Sequence, residues 1–338
     1  MYCAGSRGST RSGKTCTSAS PSLRCFPRRP PDFANLPVMV TSVRMPVKNR
    51  PLGKSYYWRV ESIDRDKLST AKGEVWSFRT VRRQLKVYLL GGQSNAVGCS
   101  SVNGLPRNLI GSQKGVTIFV RGECRLGPYG WAYLRDGLGS GFGDYDGRGT
   151  FGPELNFGAI MQPKDPSRVI AIIKCAWGGT NLGSQWRPPS AGGEVGPLYK
   201  GFVEAFHEGM SRLDPAFEPE IAGMIWMQGE SDSGDQKMAE DYAKNLTCLI
   251  NDIRAETKTP DMPFVLAQIS EAPAWEPRGG MIREAELEVA RTVPHMATFL
   301  TDDYGMCDPW QHDTPSMVSL GERFAKGMKE LERAKSAP

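Results

Sequence analysis

From residue 86 onward the sequence alternates short apolar runs with longer segments of helical periodicity. The predicted strands are residues 86–92, 116–120, 168–176, 222–229, 264–269 and 297–303. The predicted helices are residues 153–162, 197–213, 237–256, 281–292 and 315–334. Several of the strands are apolar throughout, which is typical of a parallel sheet that is covered on both faces. The alternation therefore predicts an α/β fold: a doubly wound, mostly parallel sheet with helices on both faces.

The segment before this alternation differs in composition. Residues 1–35 are rich in Ser, Gly, Arg and Pro, which predicts a disordered basic tail. Residues 36–82 contain β-rich runs at 38–43, 55–64 and 74–81, and residues 54–81 resemble the last strands of a fibronectin type III-like sandwich. Such a sandwich needs about seven strands over roughly 100 residues, so this segment is predicted to be a truncated β fragment.

The charge of the chain is distributed unevenly. Residues 1–86 hold 18 Lys and Arg against 5 Asp and Glu, whereas the remaining residues hold 24 against 32. A nucleic-acid-binding domain carries positive charge on its folded part, so this distribution argues against nucleic acid as a partner. No run approaches the roughly 18 apolar residues that a membrane span needs. No secretory signal is recognisable after the basic start, and the sequence assigns no compartment.

The cysteines and histidines do not predict a metal centre. The eight cysteines include no CxxC pair, and the three histidines lie far apart, so neither residue type forms a zinc signature. Spacing alone does not pair the cysteines. His207 and His295 are predicted to be structural, because one lies within a helical pattern and the other precedes a strand. His312 lies at a loop-to-helix junction beside acidic residues, as a general base would.

Small and polar clusters follow the predicted strands, and ligands of doubly wound sheets bind at the carboxyl ends of strands. GGQSNA (91–96) places a serine at a strand-to-helix turn, where its hydroxyl can project from the backbone. WGGTN (177–181) can bring a backbone N–H close to a substrate. QGESD (228–232) places an amide and a carboxylate at the same edge. GGQSN could also cradle a phosphate, but it lacks the lysine of a P-loop.

These clusters, taken together, resemble a known family. GGQSNA, FGPELNFG, CAWGGTN, IWMQGESD and a late histidine followed by LGERFA resemble the SGNH hydrolase superfamily. More narrowly, they resemble its sialate O-acetylesterase and acetylxylan esterase-like carbohydrate esterases, over about residues 85–335. The resemblance implies a flavodoxin-like fold and a serine hydrolase that removes O-acetyl groups from an acetylated carbohydrate. It implies no metal or organic cofactor.

The resemblance also assigns roles by position. Ser94 matches the nucleophile and His312 the general base, while the oxyanion hole matches the Ser94 amide, the Gly179 amide and the Gln228 side chain. A serine needs a base to take its proton, and the tetrahedral intermediate needs preset donors. Asn181 and Trp177 are predicted to contact the substrate.

The acid that orients the histidine departs from the family pattern. The family usually has this acid three residues before the histidine, where this chain has Pro309. Asp308 lies four residues before and is the predicted partner, with Glu230, Asp303 or a backbone carbonyl as alternatives. Glu154 is predicted to be a helix-start carboxylate rather than a catalyst.

Two other functions fit the same scaffold. The departure at Pro309 would suit a non-catalytic carbohydrate-binding protein, and the same triad chemistry also serves lipases and lysophospholipases. The sequence assigns neither the sugar, nor the acetylated position, nor the oligomeric state.

Overall fold

A computed structural model of the chain describes residues 20–26, 53–63, 69–72, 74–123, 130–140, 147–165 and 168–336. The chain divides into two compact units, Met1–Arg83 and Gln84–Pro338. No helix in the described part is long and apolar enough to cross a membrane.

The first unit contains a four-stranded antiparallel sheet. Its strands are β1 (Ser20–Phe26), β2 (Ser55–Ile63), β3 (Ser69–Lys72) and β4 (Trp76–Arg79). Strand β2 pairs with the other three. Aromatic pairs cross from β2 to β4: Tyr56 stacks on Phe78 at 5.3 Å, and Trp58 meets Trp76 at 4.8 Å.

Part of the β structure predicted for this region lies within the described residues. The β-rich runs at 55–64 and 74–81 form β2 and β4, whereas the predicted run at 38–43 lies outside the described residues. The disordered tail predicted for residues 1–35 stays a prediction; of these residues the structure describes Ser20–Phe26, which form β1 beside β2.

The second unit is built on a seven-stranded sheet. Its strands are β5 (Arg83–Gly92), β7 (Gln113–Gly122), β8 (Ala132–Leu134), β10 (Ile170–Ala176), β11 (Phe217–Met227), β12 (Phe264–Ala267) and β13 (Met296–Phe299). The spatial order is β13-β12-β11-β5-β10-β7-β8. Strand β10 is parallel to β5 and β7, and β12 is parallel to β11 and β13, while β8 is antiparallel to β7. The short strands β6 (Ser100–Ser101) and β9 (Thr150–Phe151) pair separately.

Six α-helices belong to the described part of this unit. They are α1 (Ser94–Val97), α2 (Glu154–Met161), α3 (Pro197–Ser211), α4 (Gln236–Glu256), α5 (Gly279–Thr292) and α6 (Thr314–Ser336). The five predicted helices correspond to α2–α6, which confirms the predicted α/β class. Helix α6 carries an apolar stripe at three- and four-residue spacing, and Met317, Leu320, Phe324 and Met328 of this stripe are buried.

The hydrophobic core lies on both faces of the sheet. Successive strand residues point to opposite faces, so Ile172 and Ile173 of β10 belong to different clusters. Ile173 lies in the cluster that contains buried residues of α3, α4 and α5, and Ile172 lies with those of α2 and α6. All seven residues of β10 are buried, which is why the sequence is apolar there almost without interruption.

The strand order brings the ends of β5, β10 and β11 together. After β5, the chain forms β7 and β10 on one side of this central strand, and then β11, β12 and β13 on the other. The backbone joins these ends directly: Gln93 donates to the Met227 carbonyl at 2.9 Å and Trp177 to the Gly92 carbonyl at 3.1 Å. Such a reversal of strand order leaves a crevice at the carboxyl ends of the strands.

Candidate active site

A cavity of about 470 Å³ opens at these strand ends. Its lining residues come from several separate loops: Gln93, Ser94, Cys99, Glu123, Gly178, Gly179, Ser231, Trp275, Trp310 and Gln311. The three clusters predicted after β5, β10 and β11 therefore contribute to one cavity, and Trp310 and Gln311, from the loop before His312, also line it.

Ser94 is half-buried on the cavity wall and begins α1. The turn before it requires glycine, because Gly92 has φ 135° and a Cβ there would overlap the Met227 carbonyl oxygen. Gly178 passes close to the serine: a Cβ at Gly178 would lie 3.7 Å from the Ser94 Cβ. The first N–H groups of a helix have no intrahelical acceptor, so the start of α1 presents backbone donors beside the hydroxyl.

Asn95 connects this turn to two other parts of the site. Its Nδ2 donates to Glu230 Oε1 at 3.3 Å and to the Trp310 carbonyl at 3.2 Å. Its Oδ1 accepts the His312 N–H at 3.1 Å. The residue that follows the predicted nucleophile therefore holds the histidine loop and the QGESD loop against α1. Asn95 was not among the predicted site residues, although it directly follows the serine in GGQSNA.

His312 is fully buried, with 0% of its surface exposed. Its carbonyl accepts the Ser100 hydroxyl at 2.6 Å, and its ring packs edge-on against Tyr304 at 5.1 Å. Burial lowers the pKa of His312 to about 4, and the charge of Asp313 and the backbone of Gly305 oppose this only in part. The imidazole is therefore neutral at pH 7, which is the state a general base needs.

The hydroxyl of Ser94 and the ring of His312 are not hydrogen-bonded in the structure. Within the described residues, neither ring nitrogen of His312 has a hydrogen-bond partner. The fold nevertheless brings the two residues to one edge of the sheet, linked through Asn95. Catalytic hydrogen bonds are often long in unliganded enzymes and shorten when substrate binds.

None of the three predicted carboxylate partners hydrogen-bonds to the His312 ring. Asp308 Oδ1 accepts the N–H groups of Trp310 at 2.7 Å and Gln311 at 2.8 Å, which stabilises the turn before the histidine. Asp303 pairs with Arg323. The role of Asp308 as the orienting acid stays a prediction.

Glu230, the third carboxylate, reaches the histidine loop only through Asn95. Its side chain is 3% exposed, and its Oε2 has no hydrogen-bond partner among the described residues. Burial raises the pKa of Glu230 to about 7.

The predicted oxyanion donors differ in position. Gly179 lines the cavity with φ 64°, a conformation that favours glycine. Gln228 lies beneath the wall instead, fully buried, and its Nε2 donates to the Thr180 carbonyl at 3.0 Å and to Asp232 Oδ2 at 2.5 Å. Asp232 in turn accepts the N–H groups of Leu182 and Gly183, each at 2.8 Å. The amide of Gln228 therefore holds the loop after β10 rather than facing the cavity.

The predicted substrate contacts lie outside the cavity lining. Asn181 Oδ1 accepts the Ser184 N–H at 2.8 Å and its hydroxyl at 2.7 Å, so this side chain closes its own turn. Trp177 is 40% exposed. Both predictions of substrate contact stay untested.

The other two histidines lie on the surface. His207 Nε2 lies 2.5 Å from Glu256 Oε1, and His295 Nε2 lies 3.5 Å from Asp261 Oδ1. Free thiols are found at Cys99, Cys175, Cys248 and Cys307, of which Cys99 lines the cavity.

Comparisons with known proteins agree with the predicted fold and with a carbohydrate esterase. Residues 84–330 match the model of a family described as carbohydrate esterase, sialic acid-specific acetylesterase. A probable carbohydrate esterase of Arabidopsis thaliana is 30% identical over 138 residues, which is 40% of this chain and 47% of the relative. The chain thus matches about half the length of that curated relative.

Solved structures show the same fold. A protein from Arabidopsis thaliana superposes with a TM-score of 0.58 at 22% identity, over 72% of this chain and 98% of that one. A carbohydrate acetylesterase from Xanthomonas citri superposes with a TM-score of 0.52 at 18% identity, over 94% of this chain and 69% of that one.

Proposed function

We propose that this chain, which belongs to the sialic acid-specific acetylesterase family of carbohydrate esterases and is a carboxylic ester hydrolase, removes O-acetyl groups from a carbohydrate with Ser94 as nucleophile. The observation that carries this assignment is the position of Ser94: half-buried on a cavity at the reversal of strand order, at a helix start and beside two glycines. A nucleophile needs access to the ester and nearby donors for the oxyanion, and this turn offers both.

The reaction proceeds in two halves. The Ser94 hydroxyl attacks the acetyl carbonyl while His312 takes its proton, and the Ser94 and Gly179 N–H groups stabilise the oxyanion. Collapse of the intermediate breaks the bond to the sugar oxygen, which leaves with the proton from His312. Water then attacks the acetyl-enzyme with His312 again as base, and acetate and free Ser94 are the products.

The other polar residues of the site have supporting roles in this mechanism. Asn95 positions the His312 backbone, and Gln228 with Asp232 fixes the loop that carries Gly179. Because the amide of Gln228 is engaged with Thr180 and Asp232, we assign the oxyanion to the two backbone donors. Engagement of His312 by Ser94 requires a change of side-chain geometry when substrate binds.

Covalent labelling tests the assignment of Ser94. Diethyl 4-nitrophenyl phosphate should inactivate the enzyme, because an activated serine displaces 4-nitrophenol and retains the diethylphosphoryl group. Mass spectrometry of the digested protein should place one such group on the peptide that contains Ser94, in proportion to the activity lost. A Ser231→Ala variant, which alters another serine of the same cavity, should be labelled equally. Inactivation with the label on a different residue would contradict the assignment.

The low pKa of His312 predicts that kcat/KM falls only at unusually acidic pH. The kcat/KM for acetate release reports the pKa of the base in the free enzyme. With the pKa of His312 at about 4, kcat/KM should change little between pH 8 and pH 5 and fall below that. An ordinary histidine, with a pKa near 6.5, would lose more than about tenfold between pH 7 and pH 5. Full recovery of activity after return to pH 7 is the control for unfolding, and an acid limb near pH 6.5 would contradict the buried neutral base.

A further inference from the structure

The cavity carries negative charge close to the nucleophile. Glu123 is the one lining residue with a carboxylate, and no lysine, arginine or histidine is among the described residues that line the cavity. Glu123 Oε2 accepts the Gly178 N–H at 2.8 Å, and Gly178 is the residue that passes next to Ser94. The carboxylate is therefore fixed to Gly178, the residue whose backbone passes next to Ser94.

The thiol of Cys99 lines the same cavity, and the charge of Glu123 affects its pKa. The pKa of Cys99 is raised to about 11, chiefly by burial, and the negative charges of Glu123 and Asp308 add to the increase. A hydrogen bond with Ser140 and the positive charge of Lys174 oppose the increase.

Nearby cations are engaged with protein acceptors. Lys174 is buried between Glu154 Oε2 at 2.8 Å and the Val97 carbonyl at 2.7 Å. The Arg278 guanidinium donates to the carbonyls of Ser233 at 2.7 Å and Gly234 at 2.9 Å. Neither side chain is among those that line the cavity.

Two tryptophans supply apolar walls. Trp275 and Trp310 both line the cavity, and Trp310 is 47% exposed. Indole rings offer large apolar faces with little loss of conformational entropy, and the C–H faces of a sugar ring can pack on them. Such a lining suits a neutral sugar ring, and its described residues give a free carboxylate no counter-charge.

From this arrangement we infer that the site takes neutral acetylated sugars in preference to acidic ones, and that Glu123 determines this preference. The inference rests on the proposed function, since it concerns the substrate of the same site. A sialic acid whose ester lies at Ser94 would bring its carboxylate into the cavity that also contains the carboxylate of Glu123. At separations within one cavity, in a partly solvated site, like charges lower kcat/KM by about tenfold.

A matched pair of substrates tests the inference. An O-acetylated sialic acid and its C1 methyl ester differ only in the carboxylate, and acetate release is measured for both. At low ionic strength kcat/KM should be about tenfold higher for the methyl ester. The ratio should fall towards one in about 1 M salt, where the screening length is about 3 Å.

Glu123→Gln identifies the source of the preference. The amide oxygen of glutamine can still accept the Gly178 N–H, so the loop keeps its hydrogen bond while the charge is lost. The ratio should drop to about twofold or less in this variant. Glu288→Gln, at an exposed position on α5, makes the same change in net charge and should leave the ratio unchanged. A ratio that does not respond to Glu123→Gln would overturn the role of this residue.

Two further outcomes are distinguishable. Equal or faster turnover of the free acid, with acetate release still lost in Ser94→Ala, would overturn the charge preference and leave the proposed function standing. Acetate release that does not depend on Ser94, or none from either substrate or from 4-nitrophenyl acetate, would overturn the proposed function and this inference with it.

Discussion

Replacing Ser94 with alanine is expected to lower kcat for acetate release by about 10⁴-fold or more. The change removes the atom that forms the acetyl-enzyme, while the cavity, the Gly179 N–H and the aromatic walls are retained. The KM should change far less than kcat, because the lost interaction exists only in the transition state and the covalent intermediate. Steady-state kinetics with 4-nitrophenyl acetate and with an acetylated sugar measure both quantities.

The matched control and a second variant make this result specific. Ser231→Ala removes a hydroxyl from the same cavity and should leave kcat within severalfold of the wild type. His312→Ala should cost about as much as Ser94→Ala, and the double variant little more than either, because residues that act as a unit are not additive. A Ser94→Ala protein within tenfold of the wild type, or fully additive losses, would contradict a Ser94–His312 pair.

The fold was predictable because burial on both faces leaves a strong signal. A strand such as β10, buried at every position, must be apolar almost throughout, and a helix such as α6 must carry a stripe at three- and four-residue spacing. Edge and isolated strands carry no such signal. Strand β8 has three residues and β1 lies in a polar segment, so backbone pairing rather than side-chain pattern defines both.

The location of the site was predictable for a related reason. Parallel strands end at the same edge, so GGQSNA and WGGTN had to meet once the sheet was assigned. The direction of each side chain was not predictable. Gln228 was expected to face the cavity, but Asp232, four residues later, offers it a buried acceptor. Which of several possible acceptors a side chain bonds to depends on distances of a few ångströms, and a linear motif does not specify these distances.

Buried charge pairs cannot be predicted from a linear motif for the same reason. The structure contains one such pair, Lys174 and Glu154, next to the end of α1, and its loss is expected to have a large effect on stability. Lys174 and Glu154 are each 1% exposed, and Nζ lies 2.8 Å from Oε2. Nζ also donates to the Val97 carbonyl at the end of α1. Lys174→Met leaves the carboxylate of Glu154 buried without a counter-charge, which should lower the free energy of unfolding by about 3–5 kcal/mol. Chemical denaturation measures this change when it is followed by the fluorescence of the buried tryptophans of the second unit, Trp186 and Trp226.

The double variant separates the loss of a pair from the burial of a lone charge. Lys174→Met combined with Glu154→Gln removes both charges, and neutral replacement of a buried ion pair usually costs little, so most of the lost stability should return. The Glu154→Gln single variant completes a double-mutant cycle, in which the two changes should be strongly coupled. Lys237→Met, at an exposed pair with Asp241, is the surface control and should alter stability little, because solvent screens such pairs. Additive losses in the cycle would mean that Lys174 acts through packing alone, and the charge pair would then have no part in holding α1 beneath the nucleophile.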